Sequence, residues 1–231
     1  MPLEEYFDTR RFGPPKFSAG DRWVAYSSDE GGRPDVWVQP VGGGPARQLT
    51  HVKGFLLSYD FSPTQDQLVY AADVGGDEFA HLWMTDSAGT EHRDLTASLP
   101  AGRRADFLEW ALDGNTFLYL STERDPRFQD LYEFDVRTGK SRRLWEASGA
   151  LAVAVASRDH RRFVLLETRS DVDANLYLLD RHGAKPRLLT PHTGAVLYAP
   201  MDFSRDGRTL YFTSDAGSEF QALHELDIRT G

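Results

Sequence analysis

Phe203-Ser204-Arg205-Asp206-Gly207-Arg208-Thr209-Leu210-Tyr211-Phe212-Thr213 reads as a tight turn followed by a strand. Aspartate hydrogen-bonds its own turn backbone and glycine takes positive φ without steric cost, so Ser-x-Asp-Gly closes a hairpin. The aromatic and aliphatic run behind it suits a pleated, buried strand. The same pairing of turn and strand occurs four times earlier. The turns are Phe17-Ser18-Ala19-Gly20-Asp21, Phe61-Ser62-Pro63-Thr64-Gln65-Asp66, Trp110-Ala111-Leu112-Asp113-Gly114 and Ala156-Ser157-Arg158-Asp159-His160, and the strands cover residues 23–26, 68–71, 117–120 and 163–166. A period of about 46 residues holding several short strands predicts a β-propeller.

The rest of the unit repeats as well. A third strand covers residues 36–38, 82–84, 131–135, 176–180 and 223–227. A Gly-containing turn then leads to a polar fourth strand: Arg47-Gln48-Leu49-Thr50, Arg93-Asp94-Leu95-Thr96, Arg142-Arg143-Leu144-Trp145 and Arg187-Leu188-Leu189-Thr190. Polar outer strands protect a blade edge from pairing with other chains. The reading is an all-β protein with four-stranded antiparallel blades, about five of them present. A segment 1–16 precedes blades at 17–54, 55–104, 105–149, 150–195 and 196–231, the last without its fourth strand.

The 231 residues suffice to bury a core, and no long stretch shows helical periodicity. Absence of cysteine excludes disulfides, thiolate zinc sites and thiol nucleophiles, and it points to a reducing compartment. The opening Met1-Pro2-Leu3-Glu4-Glu5-Tyr6 has neither the basic region nor the apolar run of a signal peptide or anchor, so a cytoplasmic protein without membrane contact is expected. A net charge of −9, with arginines in small groups such as Arg103-Arg104 and Arg161-Arg162, opposes binding to nucleic acid.

Chemistry is sparse. No Gly-x-Ser-x-Gly elbow occurs, so no catalytic residue for acyl transfer is expected in this chain. The seven histidines lack zinc-site spacing. Asp171-Val172-Asp173-Ala174-Asn175 resembles half a calcium loop, but Leu176 stands where glycine is needed and His182 where the closing glutamate belongs. It reads as a polar hairpin, and Gly42-Gly43-Gly44 reads as a flexible turn, so no metal or cofactor is expected. Gly75-Gly76-Asp77-Glu78 places two carboxylates in a loop between strands two and three. Paired carboxylates hold an ammonium group through charge-assisted bonds, which makes Asp77 and Glu78 the candidate substrate-binding residues.

Pro2-Leu3-Glu4-Glu5-Tyr6-Phe7, the run from Asp73-Val74-Gly75-Gly76-Asp77-Glu78-Phe79-Ala80-His81-Leu82-Trp83 to Arg93-Asp94-Leu95-Thr96, and Ser121-Thr122-Glu123-Arg124-Asp125-Pro126-Arg127-Phe128-Gln129-Asp130-Leu131-Tyr132 form a set of three stretches. Together they resemble the amino-terminal propeller of prolyl oligopeptidase-family serine peptidases, in the style of acylaminoacyl-peptidases and dipeptidyl peptidases. The resemblance implies a propeller, commonly seven-bladed, that screens peptide substrates above an α/β-hydrolase domain carrying a Ser-Asp-His triad. That domain would be the missing partner, and none of its catalytic positions has a counterpart here. The expected function is a non-catalytic gating propeller of a peptidase acting on short or N-blocked peptides.

The alternative is a stand-alone Tol-type propeller that binds a protein or peptide, while a propeller enzyme with a central-channel site is the third option. The end of the sequence in mid-hairpin has three readings: a split gene product, a fragment, or a five-bladed ring closed by a strand borrowed from within residues 4–17. Unclosed blades would leave edges open to oligomerisation.

Overall fold

A computed structural model describes residues 10–182 and 185–230. The Pro2-to-Phe7 stretch and part of the segment expected to close a ring therefore lie outside the described residues.

Nineteen strands, counted among the described residues, form five antiparallel sheets in chain order. The first contains β1 (Lys16–Phe17), β2 (Trp23–Ser28), β3 (Asp35–Pro40) and β4 (Arg47–Gln48). The second contains β5 (Leu56–Phe61), β6 (Leu68–Ala72), β7 (His81–Thr85) and β8 (Arg93–Asp94). β9 (Ala105–Trp110), β10 (Thr116–Asp125), β11 (Phe128–Asp135) and β12 (Lys140–Trp145) make the third. β13 (Leu151–Ala156), β14 (Arg162–Ser170), β15 (Asp173–Asp180) and β16 (Arg187–Leu188) make the fourth. The fifth has three strands, β17 (Tyr198–Phe203), β18 (Thr209–Ser214) and β19 (Ala222–Asp227). The all-β expectation of short antiparallel sheets is met. Among the described residues helix is confined to a single 3₁₀ turn at Ala19–Asp21.

In four of the five repeats the turn shares one position of left-handed backbone, while the turn at residues 62–66 has none. Asp21, Gly114, His160 and Gly207 occupy the same position and all have positive φ, at 52°, 67°, 53° and 68°. In the last of these turns Ser204 Oγ donates to Asp206 Oδ1 at 2.7 Å, and the Thr209 amide donates to Ser204 Oγ at 2.9 Å. Glycine is the low-cost residue there, and Asp21 and His160 adopt the left-handed conformation at some expense.

Elsewhere the strands run further than their apolar cores suggest. Arg124-Asp125-Pro126-Arg127-Phe128 is the tip of a hairpin in which only Pro126 and Arg127 lie outside β10 and β11. The first strand of sheets two to five carries a bulge, leaving Leu57, Leu108, Ala154 and Met201 without a register partner. Such an extra residue bends the strand and increases its twist. The described part of the segment proposed to close a ring is used otherwise. Phe12 bridges Ser28, and Lys16 and Phe17 pair with Ala25 and Val24 in the first sheet.

By internal contacts the chain divides into two compact units, Met1–Pro126 with Phe134–Ser141, and Arg127–Glu133 with Arg142–Gly231. In the first unit Ala25, Val36, Val38 and Leu49 pack with Phe61, Leu68 and Tyr70, and all are buried. Alternation along β6 sends Leu68, Tyr70 and Ala72 into this cluster, while Val69 and Ala71, on the opposite face, are equally buried. That explains the nearly unbroken apolar run read in the second strands. An aromatic group built on Phe117, with Phe134 stacked at 5.0 Å and Trp110 edge-on at 5.2 Å, fills the same unit. In the second unit Val164, Leu176, Leu178 and Leu189 pack with Phe203, Leu210, Phe212 and Ile228.

Candidate functional site

The loop between β6 and β7 carries both predicted carboxylates, and a third one organises it. Asp73 follows β6 directly and is only 3% exposed. Its Oδ1 accepts from the Phe55 amide at 2.6 Å and its Oδ2 from the Glu78 amide at 3.1 Å. Its own amide donates to the Phe55 carbonyl at 3.1 Å. A buried carboxylate with backbone donors on both oxygens ties the loop to the segment entering β5.

Glycine permits this approach. A Cβ at Gly54 would stand 1.8 Å from Asp73 Oδ1 and 2.8 Å from the Asp73 carbonyl, so no other residue fits. Gly75 and Gly76 then reverse the chain with φ of 73° and 80°. Glu78 adopts φ of 65° without being glycine, a conformation that β-carbon sterics disfavour. The loop is held against that cost by Asp73 beneath it.

Asp77 and Glu78 both lie exposed on this tied loop. Asp77 Oδ1 accepts from the Phe79 amide at 3.0 Å, a local turn that fixes one oxygen and leaves the other to solvent-side partners. Exposed aromatic rings flank the pair. Phe55 is 66% exposed, and its ring lies 3.5 Å from where a Cβ of Gly76 would stand. Phe79 approaches Gly102 in the same way, at 3.8 Å, while the Ala105 amide donates to the Ala80 carbonyl and anchors the end of the loop. Two carboxylates beside two accessible phenyl rings form a surface suited to an ammonium group with an apolar side chain near it.

A cavity of about 360 Å³ opens on the other side of Asp73. Tyr70 and Trp83 stack along its wall with ring centres 6.4 Å apart, and the Tyr70 hydroxyl lies 2.9 Å from His92 Nδ1. Burial, reinforced by Asp35 and Asp94, pushes the Tyr70 phenol far above its ordinary value. Burial and the nearby His51 lower His92 against an opposing pull from Asp86. Asp77 and Glu78 do not line this cavity.

The remaining sequence candidates are structural. Asp171 and Val172 form the turn between β14 and β15, and Asp173 Oδ1 meets His192 Nε2 at 2.9 Å. Gly43 and Gly44 take φ of 92° and 129° in the turn after β3. Among the described residues no group of three or more histidine, cysteine, aspartate or glutamate side chains could hold a metal ion. No helix among them is long and apolar enough to cross a membrane. The role of Asp73 escaped the sequence because its partner Phe55 lies 18 residues away and offers only a backbone amide. The one available signal was a glycine, Gly54, standing just before an exposed aromatic.

A model of the prolyl oligopeptidase N-terminal β-propeller domain matches residues 53–231. Dipeptidyl aminopeptidase BIII of Pseudoxanthomonas mexicana is 27% identical over 229 residues, which cover 95% of this chain and 33% of that protein. The chain thus spans about a third of the length of this curated relative. Among solved structures, a prolyl endopeptidase superposes with a TM-score of 0.72 at 16% identity, over 96% of this chain and 35% of its own. TolB from Acinetobacter baumannii superposes with a TM-score of 0.64 at 19% identity, over 94% and 52% of the two chains. At these identities the structural likenesses establish the propeller fold alone.

Proposed function

Because the chain belongs to the family of prolyl oligopeptidase N-terminal β-propeller domains, we propose that it is the non-catalytic, substrate-gating propeller of a serine peptidase. Joined to an α/β-hydrolase domain, it would admit and orient short peptides, amino-terminally blocked ones included. The observation that carries this reading is the similarity to dipeptidyl aminopeptidase BIII, which runs through 95% of this chain while covering a third of that enzyme. The likeness to TolB is one of fold and gives a stand-alone binding role no separate support.

Within this reading Asp77 and Glu78 receive the peptide ammonium, and Phe55 and Phe79 flank the first side chains. A rigid, doubly tied loop suits that task, since little conformational freedom is lost when the ligand arrives. The cysteine-free composition supports a cytoplasmic setting.

Two measurements test the proposal. The isolated chain should not hydrolyse chromogenic amino-acyl or acyl-amino-acyl substrates, and turnover would overturn the non-catalytic assignment. Titration calorimetry should show short peptides with free amino termini binding more tightly than their acetylated forms. The difference should vanish in the double variant Asp77→Asn, Glu78→Gln. Equal binding of free and acetylated peptides by the unaltered chain would remove the two carboxylates from the site.

A further inference from the structure

The cavity beside Asp73 is built within the first compact unit, from the segment that leaves the first sheet, from β6 and β7, and from His92 ahead of β8. Its lining is fixed before any ligand arrives. The Val52 amide donates to Asp35 Oδ1 at 2.8 Å, and Arg33 Nη1 donates to the Val52 and Lys53 carbonyls at 3.3 and 3.0 Å. These bonds hold His51-Val52-Lys53 in place. The clasp between Asp73 and Phe55 does the same for the chain entering Val74. Tyr70 and Trp83 add two nearly parallel rings, inclined by only 15°.

The polar groups of the lining are unbalanced in charge. Among the described residues Asp73 is the only carboxylate that lines the cavity, and backbone amides already occupy both of its oxygens. Lys53, His51 and His92 stand against it, and His51 is near enough to His92 to disfavour a proton there. The buried Tyr70 hydroxyl is protonated at neutral pH and donates to His92 Nδ1. That tautomer puts the ring proton of His92 on Nε2, for which the described residues supply no acceptor. An ammonium group, an imidazole N–H and a second imidazole thus share a preformed cavity with an indole and a phenol, and its volume of about 360 Å³ suits a small molecule.

We propose that this cavity binds a small aryl carboxylate. The ring of the ligand packs against Trp83 and Tyr70, and its carboxylate takes the Lys53 ammonium and the His92 Nε2 proton. An aromatic cation would meet Lys53 and find the one carboxylate already engaged. A neutral apolar molecule would displace water from the Nε2 proton and leave it unpaired. Asp77 and Glu78 do not line this cavity, so the site goes beyond the gating role and does not rest on it.

Titration calorimetry of the full chain with indole-3-acetate should show saturable binding. Indole-3-acetamide, which keeps the ring and shape but not the charge, should bind about 10-fold more weakly. Cyclohexaneacetate, which keeps the charge but not the aromatic face, should bind about 3- to 10-fold more weakly. The Lys53 side chain is exposed, so Lys53→Met leaves the fold intact; it should weaken indole-3-acetate about 2- to 5-fold and leave the acetamide unaffected. Carbethoxylation of His92 by diethyl pyrocarbonate, followed by mass spectrometry, should slow when indole-3-acetate is present. Acetyl-glycyl-tryptophan separates two sources of the same chemistry: binding tighter than that of indole-3-acetate assigns the cavity to the carboxyl-terminal residue of a peptide, and weaker binding assigns it to a free acid. Absent binding, equal affinity for acid and acetamide, or a Lys53→Met affinity and a His92 reactivity that both stay unchanged would overturn the proposal.

Discussion

Phe55 and Asp73 are bonded to each other in both directions, amide to carboxylate at 2.6 Å and amide to carbonyl at 3.1 Å. This reciprocal clasp makes the acidic loop a fixed part of the second sheet. Asp73→Ala leaves the amides of Phe55 and Glu78 without their acceptor and is expected to cost about 2–4 kcal/mol in urea-induced unfolding. Gly54→Ala should cost at least as much, because its methyl group would collide with the same carboxylate. Asp77→Ala, which breaks one exposed local bond, should change stability by under about 1 kcal/mol.

In the second sheet the Leu82 amide donates to the Thr96 hydroxyl at 2.9 Å, which predicts a difference between near-isosteric substitutions. Thr96→Val removes the hydroxyl that accepts from the Leu82 amide and should destabilise by about 1 kcal/mol. Thr96→Ser keeps the hydroxyl and should cost less. Hydrogen exchange offers the sharper check: the Leu82 amide should exchange faster in Thr96→Val and remain protected in Thr96→Ser.

The recurrent turn position gives substitutions of opposite sign. Gly207→Ala places a β-carbon in the left-handed region and should destabilise by about 1–2 kcal/mol. Asp21→Gly relieves the same strain, offset by the greater freedom of glycine in the unfolded chain, for a net gain of roughly 0.5 kcal/mol. Gly114→Ala should be the worst of the three, since a Cβ there would stand 2.1 Å from Thr64 Oγ1. Thermal melts of the three variants rank them directly.

Glu133 controls part of the acid response. Its burial opposes ionisation, yet Arg181 and Arg142 donate to it at 2.8 and 2.9 Å and hold the carboxyl below its ordinary 4.5. A carboxyl lowered by folding stabilises the protein above its unfolded value, and that stabilisation is lost as pH falls through the folded one. Unfolding free energy should therefore drop on acidification below about pH 4.5. In Glu133→Gln the acid limb should be shallower, on a neutral-pH plateau lower by roughly 1–2 kcal/mol.

The fold was legible because each repeat states itself locally. The turn at Ser204-Arg205-Asp206-Gly207 and the strand behind it are governed by neighbouring backbone bonds and by burial, both of which leave a periodic trace in the residues. The polar fourth strands were legible in place but not in manner: Leu-Thr was read as ladder, whereas Thr50, Thr96 and Thr190 bond through their side chains. Asp77 and Glu78 were legible as exposed loop acids beside glycines. The carboxylate that fixes them was not, because Asp73 acts on a backbone amide brought near only by the pairing of β5 with β6.

Among the described residues every strand pair in these sheets joins neighbours along the chain, with no strand inserted from a distant repeat. Contacts of that kind have short closing loops, so the entropy of ordering each sheet is offset as soon as its own hairpins form. As a nascent chain leaves the ribosome, one sheet after another would reach a locally complete set of backbone bonds before the next is made. Assembly by instalments is thus written into the topology.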